Sequence, residues 1–160
     1  MAQLTGKTII ITGSSRGVGA DTAQILAAEG ANIVVNYRSK APRANKIVKA
    51  IEEAGGKAIA VQADVTNNDD LQNLVNTAVE TFGSLDYLIL NASGGMETGM
   101  GEYYAMRLNR DAQLNLARLA AEKMPEGARI VFVTSHQAHF IREVETMDEY
   151  KPCLLYTSDA

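Results

Sequence analysis

One cysteine, Cys153, in a chain of 160 residues excludes a disulfide framework within the chain. Basic stretches are also missing. With 15 lysines and arginines against 19 acidic residues, the net charge of −4 gives no electrostatic reason to expect nucleic acid as a partner. No apolar run approaches the roughly 20 residues that span a bilayer, so no membrane partner is expected. Met1 to Lys7 holds no apolar targeting region, and a cytoplasmic protein is the expectation. Internal repeats, interdomain linkers and low-complexity tracts are absent as well. What remains is a chain that is 46% hydrophobic and long enough for one domain with a real core.

The most informative segment is Thr12-Gly13-Ser14-Ser15-Arg16-Gly17-Val18-Gly19, directly after the apolar run Thr8-Ile9-Ile10-Ile11. It reads as a strand that stops in a glycine turn and restarts as a helix. Val18, Thr22, Ile25, Leu26 and Glu29 recur at helical spacing, and Gly30 supplies the stop. Such a turn lets the backbone approach a pyrophosphate closely, while the free N–H groups and positive dipole end of the helix face the anion. A nucleotide ligand is therefore expected.

The same alternation continues along the chain. Asn32 to Tyr37 reads as a buried strand, and Ala44, Ile47, Val48 and Ile51 as the core stripe of a helix that ends at Gly55-Gly56. Lys57 to Ala63 is a third strand. Leu71, Leu74, Val75, Ala78, Val79 and Phe82 phase a third helix, with Asp69 and Asp70 in its first turn, and Gly83 closes it. Leu85 to Leu90 is a fourth strand, a long helix from about Tyr103 to Met124 follows, and Arg129 to Thr134 is a fifth strand. Strands and helices in this order predict an α/β fold, a Rossmann-type doubly wound parallel sheet.

The glycine spacing, Gly-x-x-x-Gly-x-Gly, departs from the Gly-x-Gly-x-x-Gly fingerprint. It matches the Thr-Gly-x-x-x-Gly-x-Gly of the short-chain dehydrogenase/reductase family, which the chain resembles from about Leu4 to Pro152. The resemblance implies an oxidoreductase that transfers a hydride between a nicotinamide dinucleotide and the carbonyl or alcohol of a small-molecule substrate. It also implies a homo-oligomer built through the long helix.

Carried onto this sequence, the family's cofactor site takes Gly13, Ser14, Ser15, Arg16, Gly17, Val18 and Gly19 for the phosphates. The stretch Asn36-Tyr37-Arg38-Ser39-Lys40 ends the second strand without the carboxylate that would hold a ribose 2′-hydroxyl. Arg38, beside Ser39, stands where NADP-preferring members carry a basic residue, so NADP(H) is favoured over NAD(H). Arg38 and Lys40 can also be read as solvated loop charges. Asp64-Val65 resembles the pair that meets the adenine ring, though Asp64 reads equally well as a cap or turn residue ahead of Thr66. Asn91, Ala92 and Ser93 occupy the place of the family's Asn-Asn-Ala-Gly, as a variant with a single Asn.

Catalysis in the family uses Asn, Ser, Tyr and Lys, the Tyr hydroxyl exchanging a proton with the substrate oxygen. Asn109, Ser135 and Tyr150 match the first three. The lysine that belongs to Tyr150 would stand at position 154, where the chain has Leu154, and Lys151 is wrongly spaced. The Met-rich stretch between Asn91 and Asn109 is shorter than the family's. His136 and His139 are a weak metal pair without a third ligand, and no metal site is expected.

The segment Cys153 to Ala160 closely resembles the translation of a transposon mosaic-end sequencing adapter. The expectation is one dinucleotide-binding domain over residues 1–152, incomplete after about its fifth strand, and a non-native tail over 153–160. A nucleotide-binding or redox-sensing protein without catalysis is the alternative. A lysine correctly placed beyond Pro152 in the unbroken reading frame would decide for the enzyme.

Overall fold

The computed structural model describes residues 3–94 and 103–134. Five strands form one sheet in the order β3-β2-β1-β4-β5, every neighbouring pair parallel. They are β1 (Thr8–Ile11), β2 (Asn32–Tyr37), β3 (Lys57–Gln62), β4 (Tyr87–Leu90) and β5 (Arg129–Phe132). Helices α1 (Gly17–Ala28) and α2 (Ala41–Glu53) connect the first three, and α3 (Asn68–Phe82) leads to β4. Between β4 and β5 lie α4 (Tyr104–Met106), a π-helical turn (Arg107–Asp111) and α5 (Ala112–Ala121). The doubly wound α/β architecture read from the sequence is the one observed.

Alternation along β1 divides the core into two layers, because successive strand side chains point to opposite faces. Ile9 and Ile11 join Ile33, Val35 and the buried alanines of α1 and α2. Ile10 joins Val34, Leu88 and Leu90 under α3 and α5. With both faces covered, the middles of the central strands are apolar, as parallel sheets require, and the polar Thr8 and Asn36 are buried toward the strand ends. β5 is the outer strand, and Val131, Phe132 and the adjoining Val133 are close to half exposed.

Element bounds differ in places from those expected, with β3 ending at Gln62 and β5 at Phe132, and the helical spacing does not say which side of α1 faces inward. Val18 and Ile25 do not face the core; they are 65% and 64% exposed, and the buried face of α1 is Gly19, Ala20, Ala23 and Ala27. Small side chains there let the helix lie close to the sheet, so the larger residues of the helical pattern mark its outer side. The long helix expected over 103–124 is interrupted by the π turn and ends at Ala121. β4 begins at Tyr87, two residues later than expected, because Asp86 and fully buried Leu85 serve as an anchor ahead of the strand.

That anchor pins the amino end of the sheet. The Asp86 carboxylate accepts hydrogen bonds from Lys7 Nζ at 2.8 Å, the Thr8 N–H at 3.0 Å and Ser84 Oγ at 2.7 Å. Its backbone also bonds both neighbours, through the Asp86 N–H to Thr8 O and through Asp86 O from the Arg129 N–H. Burial pushes the Asp86 carboxyl up, but the hydrogen bonds from Lys7, Thr8 and Ser84 and the Lys7 charge outweigh it and hold it below its ordinary 3.8. The hydrogen bond to Asp86 and its charge raise Lys7 above 10.5.

A lowered carboxyl pKa stabilises the fold above the unfolded value and loses that contribution as pH falls through the folded one. A raised lysine pKa contributes below 10.5 and loses its share as pH rises through the higher folded value. The pair is therefore intact between these limits. Unfolding midpoints measured from pH 7 down to 3 should fall less steeply in Asp86→Asn than in the parent. Parallel acid limbs would refute the assignment.

Candidate nucleotide site

The glycine turn sits at the carboxyl ends of the strands, between β1 and α1, where the strand order reverses from β2-β1 to β4-β5. Ligand crevices in open α/β sheets form at this place. Gly13 and Gly17 take left-handed φ values of 64° and 54°, which L side chains rarely adopt. Gly19 is required for a different reason: a Cβ there would come within 2.7 Å of Asn91 Nδ2 and 2.9 Å of Ser14 Cα.

Asn36 holds the turn in place, a role missed in the sequence. Its Oδ1 accepts the Gly13 N–H at 3.0 Å, and its Nδ2 donates to Ala63 O at 3.1 Å. Its own N–H donates to Ser14 Oγ at 3.1 Å, and its O accepts the Ser14 N–H. Ser14 Oγ in turn donates to Ile11 O at 2.7 Å. One buried amide thus ties the ends of β1, β2 and β3 together. The available signal was a polar residue directly after Ile33-Val34-Val35, in a strand otherwise reading as core.

Thr12 does the same toward β4. Its Oγ1 accepts the N–H groups of Asn91 and Ala92, both at 2.9 Å, and the Asn91 amide donates to Thr12 O at 3.1 Å. Asn91 and Ala92 are therefore wall residues of the turn, and Ala92 approaches Gly13 so closely that a Cβ on Gly13 would meet Ala92 Cα at 3.0 Å.

The helix that follows the turn is open at its start. Arg16 occupies the N-cap of α1 with no side-chain capping bond, and the first turn has no acidic residue. α3 is the contrast: Asn67 caps it by accepting the N–H groups of Asp69 and Asp70, and both carboxylates lie in its first turn. An uncapped, unneutralised helix start beside a close-approach glycine backbone fits a phosphate group.

The remaining sequence-derived residues fall as follows. Ser15 is half-buried in the turn, and Arg16 and Val18 are exposed around it. Exposed Arg38 directly follows β2, with Ser39 next to it; among the described residues no carboxylate pairs with Arg38, and one of its Nη atoms donates to Tyr104 Oη at 2.5 Å. Asp64 Oδ1 accepts the Thr66 N–H at 2.9 Å and the Thr66 hydroxyl at 2.7 Å, and the Asp64 N–H donates to Asp70 Oδ2. Asp64 is thus a turn residue, and the helix cap is Asn67. Val65 is buried in the layer under α3 and α5.

Asn109 lies in the π turn. Its Nδ2 donates to Gly94 O and to Ala105 O, both at 2.8 Å, and its Oδ1 accepts Ser93 Oγ at 2.7 Å. The wide turn leaves Asn109 bridging the helix to the loop after β4, as single π turns often do at functional sites. Ser135, Tyr150 and the pair His136 and His139 lie outside the described residues. So do Met96, Met100 and the segment from Cys153. Among the described residues, no helix is long and apolar enough to cross a membrane, and no three His, Cys, Asp or Glu side chains group to hold a metal.

Comparisons with known proteins agree with this geometry. A family model described as short chain dehydrogenase matches residues 7–147. An uncharacterized oxidoreductase of Methylorubrum extorquens is 40% identical over 141 residues, covering 84% of this chain and 57% of its own. A short chain dehydrogenase from Burkholderia cenocepacia, solved in complex with NADP, superposes with a TM-score of 0.82 at 34% identity, over 96% of this chain and 64% of that one. A 7α-hydroxysteroid dehydrogenase solved with NADH and 7-oxo glycochenodeoxycholic acid has a TM-score of 0.82 at 31% identity, over 98% and 63%. The chain spans about half the length of the curated relatives it matches.

Proposed function

We propose an activity from one premise: the chain belongs to the short-chain dehydrogenase/reductase family. Residues 1–152 form a dinucleotide-binding domain whose ligand is NADP(H), serving hydride exchange with the carbonyl or alcohol of a small molecule. The observation that carries this reading is the Asn36-locked glycine turn against the uncapped start of α1. When bound, the nicotinamide supplies or accepts the hydride.

The chain's own residues do the rest. Gly13 through Gly19 receive the diphosphate; Asn36 holds the Gly13 and Ser14 N–H groups, so the donors are backbone N–H groups beyond Ser14. Arg38 meets the 2′-phosphate, a role supported by the absence of any carboxylate beside it, and Asp64 and Val65 border the adenine. Asn109 holds a water for proton relay, Ser135 holds the substrate oxygen, and Tyr150 exchanges the proton with it. Homo-oligomerisation through α5 belongs to the same proposal; it is supported by Leu114, a large apolar residue 43% exposed on that helix.

NADPH fluorescence provides the test. Titration should show tighter binding of NADPH than of NADH, and tighter NADH binding would overturn the choice of cofactor. Turnover is expected to be absent from the 160-residue chain, because Leu154 stands where an ammonium should support Tyr150. The second reading is a nucleotide-binding protein without catalysis, and the sequence beyond Pro152 in the unbroken reading frame decides between the two. Sustained NADPH oxidation with any carbonyl substrate would sink both the expectation of inactivity and that second reading.

A further inference from the structure

The Arg38–Tyr104 contact joins residues 66 positions apart and belongs to neither the glycine turn nor the loop after β4. Arg38 follows β2 and Tyr104 opens the helical segment after β4, so the hydrogen bond passes over the end of β1 from one half of the sheet to the other. The two partners are unequal. Arg38 is exposed, and besides the bond to Tyr104 its backbone O accepts Gln62 Nε2 at 3.0 Å. Tyr104 is half-buried, its ring packed against the core layer that includes Val65, Leu90 and Leu108.

We infer that Tyr104 is a specificity-positioning residue, which holds the Arg38 guanidinium over the adenosine end of the crevice and so favours a nucleotide bearing a 2′-phosphate. A free arginine must give up much of its rotamer freedom to grip a phosphate. Here an anchored phenol removes part of that freedom beforehand. The bond to Tyr104 occupies one N–H of one Nη, and the guanidinium edge formed by Nε and the other Nη remains for two parallel bonds to phosphate oxygens. A ribose 2′-hydroxyl offers no such acceptor pair, so the benefit is confined to the phosphorylated nucleotide.

The inference rests on the reading of Arg38 given under Proposed function, and the experiment separates the two. Dissociation constants for NADPH and NADH are measured for the parent, Tyr104→Phe, Arg38→Gln and the double variant. Tyr104→Phe keeps the ring and removes one hydroxyl. It should weaken NADPH about three- to tenfold, the scale of one hydrogen bond, and leave NADH unchanged. Unchanged NADH binding also reports a folded variant. In the Arg38→Gln background, the second substitution should have no further effect, because its partner is gone.

Equal weakening of both nucleotides would make Tyr104 a packing residue and overturn the inference. Unaltered discrimination, or tighter NADPH binding, would overturn it as well. If the parent itself does not discriminate, the NADP reading fails first and the inference with it. If the parent and Tyr104→Phe discriminate equally, only the inference fails.

Discussion

Asn36→Leu is expected to be the most damaging single substitution in the described part of the chain. The leucine would fill a similar volume but leave the Gly13 N–H and Ala63 O without the partners they now have at 3.0 and 3.1 Å. Each buried backbone group deprived of its bond costs about 1–3 kcal/mol, so the loss should reach about 2–6 kcal/mol. Against the roughly 5–15 kcal/mol that separates folded from unfolded domains, this threatens the fold itself. Urea unfolding followed by circular dichroism measures it.

Asn36→Asp sharpens the point. Aspartate keeps the acceptor for Gly13 but turns a second oxygen, and a charge, toward Ala63 O. The account requires this near-isosteric change to destabilise the chain strongly too. An Asn36→Asp variant as stable as the parent would show that the donor half of the amide contributes nothing, and the description of Asn36 as a three-strand tie would have to be abandoned.

Gly19→Ala should act on binding more than on folding. Its Cβ would overlap Ser14 Cα, a backbone atom that cannot step aside as a flexible side chain can. The start of α1 must then move away from the turn. Overpacking of this kind costs about 1–3 kcal/mol in stability. The displaced N–H groups should cost the NADPH complex at least about tenfold in affinity, since the proposed phosphate site is built from backbone donors. Gly83→Ala is the matched control. Its φ of 84° is unfavourable for alanine, a backbone cost that Gly19 does not carry, but nothing lies within 4 Å of the added Cβ, and the residue closes α3 far from the turn. It should lose stability and keep its affinity. Comparable NADPH binding by Gly19→Ala and the parent would refute the close-approach argument.

What could be read from the sequence was whatever depends on local pattern. The order of strands and helices follows from apolar runs punctuated by Gly30, Gly55 and Gly83, all three of which do take positive φ. The turn from Gly13 to Gly19 was legible because its chemistry is written in consecutive residues. The inward face of α1 was not. A helix that packs through Ala20, Ala23 and Ala27 carries its weakest hydrophobic signal on its most buried side, so Val18 and Ile25 dominated the pattern from outside. The π turn was hidden for another reason, since Arg107 to Asp111 is an ordinary helical sequence. The extra width coincides with the bonds of Asn109 to Gly94 and Ser93, which no local pattern records. Asn36 and Tyr104 were missed similarly, because their partners lie far away in the chain.

The placement of Asp86 and Asn36 at opposite ends of β1 bears on how the molecule opens. Hydrogen exchange distinguishes global unfolding from partial openings that leave other regions formed. A ligand raises the free energy only of those openings that destroy its own site. Acid acts on Asp86 and loosens the amino end, where the Thr8 amide is tied, while the amides of Gly13 and Ser14 are held by Asn36, a group that does not titrate. Nucleotide would therefore slow exchange at Gly13 and Ser14 and leave acid-driven exchange at Thr8 untouched, so that the start of a four-residue strand and the turn just beyond its end answer to different solutes.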